Sequence, residues 1–123
     1  MVEENRRSAE KNDGAASCKS FDPVKLTPQM NKVRLENAYL RVLEYHSEPG
    51  EKEAMHFHPR GVVYSLSDGT VRVTDRQGHS GELHLHAGEV SWRNKTWHAS
   101  ENIGNTEIHV LAIELKMPLE DLK

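Results

Sequence analysis

From Lys32 onward, apolar and polar residues alternate in short runs rather than recurring at helical spacing. Lys32-Val33-Arg34-Leu35-Glu36 alternates without a break, and Asn37-Ala38 interrupts it. The run from Tyr39 to His46 is β-rich and long enough for a central strand. Ser47-Glu48-Pro49-Gly50 turns the chain, and a strand carrying His56-Phe57-His58 follows. Gly61 to Leu66 is another apolar run, and Asp68-Gly69 between it and Val71–Asp75 predicts a hairpin. After a turn at residues 76–81, Glu82-Leu83-His84-Leu85-His86 alternates again. Leu83 and Leu85 claim its apolar face, which leaves His84 and His86 to solvent. Residues 107–115 close the pattern as a strongly apolar strand. Many short strands with regular turn signals, and no amphipathic helix of useful length, predict an all-β sandwich or barrel.

Ahead of these strands the pattern is different. Residues 1–20 are rich in Glu, Lys, Ser, Asn and Ala and lack aromatics, which predicts a flexible tail. Cys18, the only cysteine, falls in it and reads as a free thiol. In the segment from Phe21 to Pro28, Pro23 and Pro28 forbid a long helix. They favour extended chain, either an edge strand or an arm lying on a second copy in a homodimer. A final short turn is expected at residues 117–123, so the domain spans 21–123.

Composition narrows the function. A chain of 123 residues suits one domain that needs no structural metal, so any metal would be functional. Net charge of −3 gives no basic field for nucleic acid. No apolar run approaches the roughly 20 residues that span a bilayer. The polar start, with no secretory signal, leads to the expectation of a cytoplasmic protein.

The chemistry lies in the histidines. His56 and His58 are two apart on a strand, so both imidazoles leave the same face and can meet one ion. His98, in Thr96-Trp97-His98-Ala99-Ser100, is the candidate third ligand. With Gly50 and Gly69, the His56-x-His58 pair resembles the first motif of the cupins, in which glycines flank a His-x-His pair and a glutamate. Gly88, His98 and Asn102 resemble the second cupin motif. The resemblance covers roughly Lys32 to Leu115. It implies a double-stranded β-helix, or jelly-roll barrel, that holds a metal and a small molecule, commonly as a dimer.

The match has gaps. Val62 stands where the family carries its glutamate ligand, neither Gly61 nor Val63 replaces it, and His86 stands where the second motif has proline. What survives is a three-histidine set, similar to that of cysteine dioxygenase. Imidazoles suit iron(II) first, with zinc, nickel, manganese or copper as alternatives, and three of them leave coordination positions open. Without the carboxylate the site keeps its full positive charge, which favours anionic or enolate-like ligands.

Other side chains bear on that pocket. If Val62 faces inward, so does Tyr64, whose hydroxyl is then the candidate catalytic group; the plainer reading has it packed in the core. Arg60 at the mouth is a candidate partner for an anion. Trp92 and Trp97 read as packing or rim, and Asn102 as a turn-former. Two functions of different classes follow: a non-heme iron dioxygenase, or a non-catalytic module that binds a small molecule. A zinc-dependent isomerase or hydrolase is a third.

Overall fold

The computed structural model describes residues 21–116, and the expectations for residues 1–20 and 117–123 lie outside them. A one-turn helix, α1 (Pro23–Leu26), precedes nine strands: β1 (Asn31–Glu36), β2 (Leu40–Ser47), β3 (Lys52–His58), β4 (Gly61–Ser65), β5 (Gly69–Thr74), β6 (Ser80–Leu85), β7 (Val90–Arg93), β8 (Thr96–Asn102) and β9 (Ile108–Leu115). The pairings described are antiparallel. They form one sheet in the order β1-β2-β9-β4-β7 and a second in the order β3-β8-β5-β6. The all-β expectation holds. No helix among the described residues is long and apolar enough to cross a membrane.

The core lies between the two sheets. Val71 of β5 meets Ile108 and Val110 of β9, with Tyr45, Val63, Val73 and Leu85 packed against them. Alternation puts these residues inside: along β9, Ile108, Val110, Ala112 and Glu114 are buried and the residues between them are not.

Three local expectations need correction. The Asp68-Gly69 turn is not a hairpin, because β4 pairs with β7 and β9 whereas β5 pairs with β6 and β8. The chain crosses between sheets there. A Cβ on Gly69 would come 2.7 Å from Ile108 Cγ1, so the crossing packs directly on the core. The local hairpin is β5–β6, where Asp75 Oδ1 accepts the backbone N–H of Gln77 and of His79.

The proline-containing segment is not an extended arm. Asp22 caps α1 by accepting the Val24 N–H, and Pro23 takes the position where a missing N–H costs nothing. The turn folds back on its own barrel. Phe21 O accepts the N–H of Phe57, and Asp22 receives both terminal nitrogens of Arg41 at 2.9 and 3.1 Å.

The third correction concerns Val62 and Tyr64. Val63 packs on the core and lines the cavity between the sheets, so by strand alternation Val62 and Tyr64 face the outside of the five-stranded sheet. Tyr64 stands between Val90 and Leu111 in the neighbouring strands and is not among the cavity-lining residues. Its hydroxyl is thus carried on the face of β4 away from the cavity.

Candidate metal centre

His56 and His58 project from β3, and β8 brings His98 directly opposite His56. The three ring centroids lie 4.6 to 5.1 Å apart, and one ligand nitrogen from each ring lies within 4.8 Å of the other two. His56 is fully buried and His58 nearly so.

Partners fix which nitrogen of two of the rings is available. His56 Nδ1 is 2.7 Å from the Ala54 carbonyl, and His58 Nδ1 is 2.8 Å from Glu114 Oε2. Each Nδ1 then carries the proton, and each Nε2 lone pair is left for the centre. His56 Nε2 is buried without a hydrogen-bond partner among the described residues. Burial holds His58 well below the ordinary imidazole value and holds His98 down to about 2; their histidine neighbours push the same way. Neutral imidazoles with unused lone pairs are the ligand form, so the donor set fits a divalent transition ion.

Two buried carboxylates accompany the triad, and the sequence reading named neither. Glu53 arrives through a β-bulge. Between the pairs Glu53–Ser100 and His56–His98, β3 advances three residues while β8 advances two. The extra residue puts Glu53 on the same side as His56 and His58, and all three are buried. Thr27 Oγ1 and Asn31 Nδ2 donate to Glu53 Oε2, each at 2.7 Å, while Glu53 Oε1 lies 3.6 Å from His56 Nε2. The pocket therefore does not lack an acid, although Val62 faces outward and Val63 is the β4 residue that lines the cavity.

Glu114 is the second. Its Oε2 holds His58, and its Oε1 accepts from Arg41 Nη2 at 2.8 Å. Burial raises its carboxyl while the Arg41 guanidinium opposes that shift. A continuous line of polar contacts therefore runs from the cap of α1 through Asp22, Arg41 and Glu114 to His58. A polar residue in the inward phase of apolar β9 was the available signal for Glu114. Glu53 offered none, because strict alternation puts it opposite His56.

His58 and His98 line one end of a cavity of about 570 Å³, together with Glu53, Ser100, Asn31 and Tyr45. Its other walls are apolar, among them Val63, Val71, Leu83, Leu85 and Ile108. Arg93, Asn94 and Lys95 complete the lining on the β7–β8 side. Arg93 Nε is buried with no hydrogen-bond partner among the described residues, and Arg93 Nη2 lies 3.9 Å from Glu114 Oε2. Arg93, and not Arg60, is the arginine that lines the cavity.

The remaining candidates have structural places. Asn102 Nδ2 donates to the carbonyls of Ser47 and Thr106, both at 2.9 Å, which makes it a turn-former. Trp97 packs against Phe21 and Phe57 beneath Arg76. His84 and His86 are exposed.

The fold is similar to that of solved structures. A cupin domain from Bordetella pertussis Tohama I is 26% identical, with a TM-score of 0.67 over 72% of this chain and 93% of that one. A protein with a double-stranded β-helix domain from Klebsiella pneumoniae is 23% identical, with a TM-score of 0.57 over 71% and 76%. A cupin superfamily protein from Desulfitobacterium hafniense is 15% identical, with a TM-score of 0.53 over 70% and 75%. No family model and no curated protein matches the chain.

Proposed function

We propose, from the likeness of this fold to a cupin domain, a metal-dependent dioxygenase in which His56, His58 and His98 hold iron(II) beside a small anionic or enolate-like substrate. The observation that carries the reading is the buried Nε2 of His56, which has no hydrogen-bond partner among the described residues and lies within reach of the imidazoles of His58 and His98. Leaving such a group unsatisfied costs about 1–3 kcal/mol, which an ion in the triad would recover. Iron(II) bound there would supply one-electron redox chemistry toward dioxygen.

The rest is the work of this chain's own residues. Arg93 offers an unmatched N–H and a positive charge on the cavity wall, which suits the carboxylate or enolate oxygen of a substrate. The apolar walls hold the carbon skeleton and exclude water. Glu53 Oε1, with Ser100 as its weak donor at 3.4 Å, is placed to take a proton from a substrate poised at the triad. Glu114 keeps the His58 ring in its ligand tautomer.

Elemental analysis of protein purified without added metal tests the first half of this reading. Oxygen uptake with a panel of thiols, β-diketones and flavonoids tests the second. Iron at one per chain with substrate-dependent uptake is the expected result. Zinc without uptake would move the reading to a zinc-dependent isomerase or hydrolase. Tight binding of a small acid without metal would make the protein a non-catalytic binding module.

A further inference from the structure

A second group of metal-ligating side chains stands on the opposite face of the strand pair β2–β9. His46 and His109 are directly opposite each other across that pair, and their rings stack with centroids 4.0 Å apart. Both belong to the phase of their strands that faces away from the core. Glu44 Oε2 lies 2.5 Å from His109 Nε2 and 3.2 Å from His46 Nε2. One ligand atom from each of the three residues lies within 4.8 Å of the other two.

We propose that Glu44, His46 and His109 form a second site for a divalent transition ion, of the zinc, copper(II) or nickel(II) class, on the outside of the five-stranded sheet. Two imidazoles and one carboxylate are a donor set that such ions accept, with water completing the shell. The outer partners are also in place. Glu107 Oε2 sits 2.7 Å from His46 Nδ1, which orients the ring and leaves Nε2 as the nitrogen on the side of Glu44. Arg34 Nε donates to Glu44 Oε1 at 2.6 Å, so Oε2 is the oxygen left facing the histidines. The group is also reachable: the side chains of Glu44, His46 and His109 are 18%, 40% and 30% exposed. In the inner triad, by contrast, His56 and His58 are buried.

Zinc titration by calorimetry on four proteins separates the two sites: wild type, H98A, H46A/H109A, and all three substitutions together. The expected result is that H46A/H109A binds one zinc per chain fewer than wild type, and that the triple variant binds one fewer than H98A. Equal stoichiometry in H98A and the triple variant would overturn the proposal. A wild type that matches H98A would instead count against the inner site alone. Because circular dichroism may show a variant unfolded, a second readout uses H98A itself. Zinc should shift the ring C–H resonances of His46 and His109, and unshifted resonances at saturating zinc would overturn the proposal.

Discussion

The two histidine groups meet at β9, which carries His109 on its outer face and Glu114, the partner of His58, on its inner one, and they differ in what surrounds them. Inside, burial holds His58 and His98 below the ordinary imidazole value, and the partner of His58, Glu114, is itself tied to Arg41. Outside, His46 and His109 sit at the solvent boundary and lean on Glu44 and Glu107 without deep burial. The same residue type is thus prepared for a metal in two ways. Burial removes the competing proton from the inner rings, whereas at the outer group a neighbouring carboxylate supplies charge. The inner arrangement depends on the whole barrel, and the outer one on a single cross-strand pair.

Removing an inner ligand should separate the two most sharply. H98A is expected to weaken metal binding at the triad by more than about 100-fold, beyond the 10–100-fold typical of losing an outer hydrogen-bond partner, as read by competition with a chelator. H109A should leave that affinity unchanged. Next comes Glu114→Ala, which leaves Arg41 and His58 without their buried partner. A loss of about 3–5 kcal/mol in urea unfolding is expected, the cost of breaking one side of a buried ion pair. A loss below about 1 kcal/mol would remove the contrast between inside and outside.

Acid sharpens the comparison through the fold itself. The folded chain keeps His58 and His98 unprotonated, while the unfolded chain takes up protons below the ordinary value of 6.5. Stability of metal-free protein is therefore full above that pH. It falls as pH drops, by at most about 1.4 kcal/mol per unit for each of the two rings, until the depressed folded values are reached. Chemical unfolding at pH 7.5 and at pH 5 measures it. The smallest effect belongs to the outer group, where H46A should change unfolding free energy by no more than about 1 kcal/mol, as partly exposed pairs do.

The triad was legible in the sequence because period two is a rigid rule within one strand, and His56-x-His58 stays inside β3. The errors came at the joints. Pro59 and Arg60 carry the chain from one sheet to the other, so the phase of Val62 and Tyr64 could not be carried over from the histidines. The Asp-Gly turn at residues 68–69 has hairpin chemistry but joins different sheets, and only the long-range pairing of β4 with β9 reveals that. The segment at Pro23 looked extended because two prolines exclude a long helix; they do not exclude one turn begun by Asp22. Arg41 and Arg93 act through contacts more than 70 and 20 residues away in sequence, respectively, and no local pattern encodes those.

The bulge in β3 has a consequence for how such a site can change over time. Deletion of either Ala54 or Met55 would remove the extra residue and leave Glu53 two positions before His56, where plain alternation keeps the acid on the histidine side. The carboxylate therefore survives loss of the bulge, and substitution at residue 53 is the simple route to an all-imidazole pocket. Among related barrels, lineages that lack this donor should differ by the residue at this position rather than by length just upstream of the paired histidines.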